Sequence, residues 1–213
     1  MYVQKQWKTD THHPFYYIEY LPKDYDPDKQ YPLVFFLHGA GERGTDPENA
    51  MRHGYMKYVR EQGKEYPFIF IAPQCPEGQY WGCYTESLSA FLDELLTTMP
   101  IDRSRVYLTG LSMGGTGTWM LAMARPDLFA ALMPVCGSGI YWNVGALLQT
   151  PIFMVHGDSD TCVPISNSIE MLTSVNSRGG KAQIKICYGV GHDAWNYAYT
   201  DDALLDWMLA QHK

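Results

Sequence analysis

No stretch of this 213-residue chain stays apolar for the ~18 residues that a bilayer-spanning helix needs. Basic residues are also few, with 16 Lys and Arg against 23 Asp and Glu and a formal net charge of −7. Nucleic acid and anionic membrane both recruit basic faces, so neither is expected as a partner. The segment Met1 to Asp10 lacks the apolar core of a signal peptide, and a cytoplasmic location is expected. A chain whose leader had been trimmed would read the same way. Cysteine is sparse and odd in number, with Cys75, Cys83, Cys136, Cys162 and Cys187 at spacings that match no zinc pattern. Reduced, partly buried thiols are expected, and on export a Cys75–Cys83 bridge across a loop would be the exception. Internal repeats, low-complexity tracts and linkers are missing. The expectation is one domain over residues 1–213, a length that suffices for a substantial core.

What is present is ordinary globular composition, 46% apolar and 18% charged, arranged as alternating short and long segments. Strands are expected at Val3 to Trp7, Tyr16 to Leu21, Leu33 to Leu37, Phe68 to Ala72, Val106 to Thr109, Ala131 to Val135, Ile152 to Val155 and Gln183 to Cys187. The third and fourth are continuously apolar, as strands buried on both faces of a parallel sheet are. The first two alternate and should pair antiparallel at one edge. Helices are expected at Met51 to Gln62, Glu86 to Met99, Met113 to Ala124, Ser166 to Arg178 and Asp201 to Gln211. Leu88, Phe91, Leu92, Leu95 and Leu96 form an apolar stripe of helical period. The alternation implies an α/β fold with a mostly parallel sheet of about eight strands and helices on both faces. In such sheets ligands sit beyond the carboxyl ends of the strands.

One of those ends carries Gly110-Leu111-Ser112-Met113-Gly114, between an expected strand and an expected helix. Gly-x-Ser-x-Gly in that context holds a serine on a tight, strained turn so that its hydroxyl stands clear of the sheet. The following helix N-terminus offers free N–H groups and partial positive charge. A serine hydroxyl needs a base, and the base needs an orienting carboxylate. His192, in Gly189-Val190-Gly191-His192-Asp193, lies in a flexible-looking loop after the last strand. His156 ends the seventh strand, and His212 is next to the C-terminus. The acid should follow the seventh strand, where His156-Gly157-Asp158-Ser159-Asp160 offers two candidates that bare chemistry does not separate.

Leu37-His38-Gly39-Ala40-Gly41, Gly110 to Gly114, the His-Gly-x-x-Asp-x-x-Val-Pro run from His156 to Pro164, and Gly191-His192 together resemble the α/β-hydrolase superfamily. The nearest likeness is to small esterases and predicted peptidases allied to dienelactone hydrolase, acyl-protein thioesterase and feruloyl or acetylxylan esterases. It runs from about Tyr31 to the C-terminus. The resemblance implies a serine esterase of the α/β-hydrolase fold that needs no cofactor or metal, with a triad of Ser112, Asp160 and His192 and with Asp158 as a turn residue. It implies Ala40, or alternatively Gly41, as one oxyanion-hole donor. The backbone N–H of Met113, directly after the nucleophile, is expected to be the other. His38 is read as a brace for loop backbone. Glu42 and Arg43 are read either as a pair bracing that loop or as solvated charges.

The short segment between Val135 and Ile152 leaves no room for a cap domain, so an open site is expected. Aromatic residues gather after strand ends: Tyr80, Trp81, Tyr84, Tyr141, Trp142, Trp195, Tyr197 and Tyr199. They suit an aromatic-walled cleft for an aryl acyl group or a carbohydrate ester, or else they pack loops onto the sheet. Trp81 is the first candidate for a substrate-binding wall and Trp195 the second, with Gly41 beside them. The expected partner is a small-molecule or carbohydrate-linked ester. Serine peptidase, thioesterase and lactone hydrolase share the chemistry and stand as alternatives. A catalytically inactive binding module is the alternative from another class.

Overall fold

A computed structural model describes residues 1–213. Its frame is an eight-stranded sheet: β1 (Tyr2–Trp7), β2 (Phe15–Tyr20), β3 (Tyr31–Leu37), β4 (Ile69–Pro73), β5 (Ile101–Leu111), β6 (Ala131–Val135), β7 (Ile152–Gly157) and β8 (Ala182–Cys187). The spatial order is β1-β2-β4-β3-β5-β6-β7-β8. β1 pairs antiparallel with β2, and β2 antiparallel with β4. Every pairing from β4 to β8 is parallel. The antiparallel edge is therefore where the alternating pattern placed it.

Six helices accompany the strands: α1 (Tyr55–Gln62), α2 (Thr85–Thr98), α3 (Met113–Ala124), α4 (Ser166–Ser177), α5 (Trp195–Ala198) and α6 (Asp202–Leu209). Strand alternation divides the core in two. Leu33, Phe35 and Leu37 of β3 face a cluster closed by Leu88, Phe91, Leu92 and Leu95 of α2, Trp119 of α3 and Met171 of α4. Val34 and Phe36 face the opposite cluster, with Tyr55 and Met56 of α1 and Leu204, Leu205 and Met208 of α6. Burying each of these large side chains contributes roughly 1.5–3 kcal/mol. The Tyr107 hydroxyl donates to the carbonyls of Leu209 and Gln211, which ties the C-terminal segment to β5. No helix is long and apolar enough to cross a membrane.

α5 was not among the expected helices, and two expected elements begin elsewhere. The helix expected from Met51 splits into a 3₁₀ segment, Pro47–Met51, and α1 from Tyr55. Gly54 causes the break, because it sits at φ 72° and a Cβ there would lie 2.7 Å from the Phe36 ring. β5 begins at Ile101 rather than Val106, since its polar first half pairs with Tyr31 across a bulge. Between β6 and β7 the chain makes only a 3₁₀ segment, Tyr141–Leu147. No cap domain is inserted between these two strands.

Candidate active site

Ser112 sits between β5 and α3 at φ 54° and ψ −119°, one of two non-glycine residues with positive φ. Its backbone N–H donates to Val135 O at 2.9 Å, which fastens the turn to the end of β6. The turn is so tight that a Cβ on Gly114 would lie 1.8 Å from Leu37 O, inside the backbone of β3. Glycine is thus required there by contact with β3. Strain of this kind costs about 1–3 kcal/mol and persists only where the surroundings enforce it.

The loop after β8 delivers His192 to this serine, with Ser112 Oγ 2.7 Å from His192 Nε2. On the far side of the ring, His192 Nδ1 is 2.7 Å from Asp160 Oδ2. The other oxygen, Oδ1, accepts the backbone N–H groups of Cys162 and Val163, both at 2.9 Å. Burial pushes the Asp160 pKa upward, but the hydrogen bonds from His192 and the two N–H groups outweigh it, and the net shift is downward. An ionised carboxylate only accepts, so Nδ1 carries the proton and Nε2 presents its lone pair to the Ser112 hydroxyl. Asp158 takes no part. It is exposed, and its Oδ1 accepts the Gly189 N–H at 2.7 Å and the Ser159 hydroxyl at 3.0 Å, as a turn former does.

Gly39, Ala40 and Gly41 border Ser112 in a cavity of about 430 Å³, together with His192 and Trp195. Ala40 opens a 3₁₀ turn and Met113 opens α3. First-turn N–H groups have no intrahelical acceptor, and neither of these donates among the loop and cap hydrogen bonds. His38 braces the loop: Nε2 accepts the Cys75 N–H at 2.9 Å and Nδ1 donates to Gly39 O at 2.6 Å. Burial pushes its pKa down to about 4, so the ring is neutral. Glu42 and Arg43 do not pair. Glu42 turns inward to face His53 Nε2 at 3.6 Å, and burial pushes its pKa up. Arg43 turns outward to Ala40 O at 2.9 Å and Gln79 O at 3.2 Å.

The aromatic candidates separate. Trp195 lines the cavity and stands edge-on to His192, ring centroids 5.3 Å apart. Trp81 does not line it, contrary to its expected role as a wall. Its ring is buried against α3, and its indole N–H donates to His38 O at 2.9 Å. Sequence reasoning missed other residues of the cavity, namely Glu42, His53, Leu111, Cys162 and Val163. It also missed Cys136, the second residue with positive φ, whose thiol donates to His192 O at 3.2 Å. Leu111, Cys162 and Val163 lie inside the two motifs but were not read as lining residues, and His53 and Cys136 stand in no motif. A larger, mostly polar cavity of about 750 Å³ beside His12, His13 and Glu86 contains none of the triad. Cys136, Asp160 and His192 bring three potential metal-ligand atoms within 4.8 Å of one another. Burial holds the Cys136 thiol protonated, and Asp160 and His192 already bond each other. These donors fit a triad and not a metal centre. All five cysteines are unbridged, including Cys75 and Cys83.

A family model described as Esterase matches residues 11–144, more than half of the chain. The chain belongs to the esterase family. Among relatives of the family, the "Probable feruloyl esterase C" of Aspergillus terreus is 30% identical over 169 residues, covering 77% of this chain and 62% of its own length. A crystal structure of a thermostable esterase superposes with a TM-score of 0.90 at 33% identity, over 100% of this chain and 63% of the other. A feruloyl esterase module from Clostridium thermocellum, solved in complex with sinapinate, superposes with a TM-score of 0.76 at 17% identity, over 100% and 90% of the two chains. That last likeness shows the fold alone. The chain spans about three fifths of the length of the A. terreus relative and of the thermostable esterase. Together these likenesses place the eight-stranded sheet in the α/β-hydrolase architecture.

Proposed function

We propose that this chain hydrolyses carboxylic esters through an acyl-enzyme on Ser112. The observation that carries the reading is the unbroken contact from Ser112 Oγ through His192 to Asp160, 2.7 Å at each step. Ser112 Oγ attacks the acyl carbonyl while His192 Nε2 takes the hydroxyl proton. Asp160 holds the ring and stabilises its charged form. The N–H groups of Met113 and Ala40 receive the oxyanion, each worth roughly 3 kcal/mol in the transition state. His192 then returns the proton to the alcohol as the C–O bond breaks. A water, deprotonated by His192, then attacks the acyl carbonyl, and as the bond to Oγ breaks His192 returns that proton to Ser112 and the acid leaves.

The substrate class we propose is aryl or carbohydrate-linked esters. The feruloyl esterase name of the A. terreus relative supports it. So does an uncapped cavity with Trp195 on its wall, which admits an ester held by a bulky alcohol. The test has two parts. A fluorophosphonate probe should label Ser112 and leave a Ser112→Ala variant unlabelled. A panel of p-nitrophenyl, feruloyl, acetylated-sugar, thioester and peptide substrates should then rank the oxygen esters first. Absence of labelling, or turnover led by thioesters or peptides, would overturn the proposal.

A further inference from the structure

The wall of the Ser112 cavity carries a carboxyl group that the proposed mechanism does not use. It belongs to Glu42, which lines the cavity and is 6% exposed. A Cβ placed on Gly39 would lie 3.0 Å from Glu42 Oε2 and 3.6 Å from Ser112 Cβ, so carboxyl and nucleophile flank one glycine of the oxyanion loop. The backbone of Glu42 ties that loop down, its carbonyl accepting from Gln74 Nε2 at 2.9 Å. The side chain is left with one basic neighbour within ion-pair distance, His53, whose Nε2 is 3.6 Å away. Burial holds His53 below the ordinary histidine range, and Lys57 and Arg52 add to the effect, so above pH 7 its ring brings no positive charge. Arg43 is turned outward onto Ala40 O and Gln79 O, and Arg52 is exposed. No Lys or Arg lines the cavity, whose titratable members are Glu42, His53, Cys162 and His192. Asp160 lies outside the lining, with its oxygens taken up by His192 and the N–H groups of Cys162 and Val163.

From this arrangement we infer that Glu42 sorts substrates by charge, admitting uncharged esters to Ser112 and turning away those whose acyl or alcohol part carries a carboxylate, phosphate or sulfate. This rests on the acyl-enzyme reading above. A second negative charge brought into a cavity walled by protein is screened far less than one at the surface. It also gives up hydration on entry and finds no cation in return. Burial raises the Glu42 pKa, while the Gly39 N–H and the charge of Arg52 oppose the rise and favour the ionised form. An uncharged sugar or phenol ester meets no repulsion, and its hydroxyl groups can donate to the carboxylate.

The test uses two pairs of esters at pH 8 and physiological salt, where the chain's net negative charge is screened beyond about 8 Å. Butyl acetate and sulfopropyl acetate place the charge on the alcohol side. Diethyl adipate and its half-ester place it on the acyl side. The reading is the ratio of kcat/KM for the uncharged ester to that for the anionic one, so a general loss of activity cancels. In at least one pair, wild type should favour the uncharged ester by about 10²-fold, and Glu42→Gln should cut that ratio about tenfold. A mere preference for apolar groups would survive the substitution. Ratios near one in both wild-type pairs would overturn the inference, as would ratios that Glu42→Gln cuts by less than about threefold. Should Glu42→Gln fail to fold, His53→Lys decides. The Nδ1 of His53 has no hydrogen-bond partner to lose, and a lysine ammonium beside the carboxylate should lower the same ratio about tenfold. An unchanged ratio there would refute it. Each protein is first labelled with the fluorophosphonate. An enzyme that labels at Ser112 and ignores charge refutes the sorting role alone, whereas a wild type that does not label refutes the triad reading.

Discussion

The indole of Trp81 donates to the carbonyl of His38 at 2.9 Å, and the two rings meet at 4.9 Å. Through this contact the aromatic residue after β4 braces the loop that carries Ala40. Trp81→Phe should keep most of the buried area and lose the hydrogen bond, leaving the His38 carbonyl unpaired. A stability loss of about 1–3 kcal/mol is expected. kcat should fall roughly ten-fold as the oxyanion loop loosens, with KM unchanged. Trp195→Ala should do the reverse and raise KM, more for feruloyl than for acetyl esters. Steady-state kinetics on both esters, with a thermal melt, checks the pair of outcomes.

Asp158 and Asp160 are two residues apart and have different tasks. Asp160→Asn presents an amide to His192 and disfavours the needed tautomer, so kcat should drop on the order of 10³–10⁴-fold. Asp158→Asn keeps an oxygen for the Gly189 N–H and should change kcat less than about threefold. Burst and steady-state rates on p-nitrophenyl acetate separate the two.

His38 is buried neutral, its pKa pushed down to about 4 from an ordinary 6.5. The unfolded chain takes up this proton below pH 6.5, and the folded chain resists until about 4. The contribution is therefore complete above pH 6.5 and is lost as pH falls from there toward 4. Its size is on the order of 3 kcal/mol. Burial pushes His53 down as well, aided by the cations Lys57 and Arg52, and adds in the same direction. Urea unfolding at pH 7.5, 6 and 4.5 should show the decline. An NMR titration in which His38 protonates near pH 6.5 would contradict it.

How much of this was legible beforehand depended on what each residue answers to. The strands could be read because Leu33 to Leu37 and Phe68 to Ala72 are apolar on both faces, which only a covered sheet tolerates. Ser112 and His192 could be read because a nucleophile turn has obligatory glycines and the fold has a fixed order. The geometry brings these two residues and Asp160 together. Trp81 could not be placed, since an aromatic residue after a strand can face either cleft or core, and a backbone carbonyl decided it. His53 reaches the cavity through the kink at Gly54, where a glycine avoids the Phe36 ring. That contact spans two distant segments, and no local spacing encodes it. Cys136 contacts the His192 carbonyl from the end of β6, where its sequence neighbours resemble ordinary core.

Glycines offer the sharpest contrast between required and tolerated positions. At Gly114 an added methyl would meet Leu37 O at 1.8 Å and His38 O at 2.6 Å, both backbone atoms that no rotamer change can move. To fit it, α3 must withdraw from β3, which separates Met113 from Ala40 and opens the oxyanion site. Gly114→Ala should therefore be inactive even where some protein stays folded, with a stability loss of roughly 3 kcal/mol or more. At Gly41 a Cβ has nothing within 4 Å, and φ is not in the left-handed region. Gly41→Ala should melt within a few degrees of wild type, because a surface substitution of this kind changes stability by less than about 0.5 kcal/mol. Its methyl stands at the cavity border, so its effect belongs in KM for bulky esters. If Ala40 is the donor, kcat for acetyl esters should be unaffected in Gly41→Ala. A large kcat loss on the smallest ester would instead move the donor to Gly41.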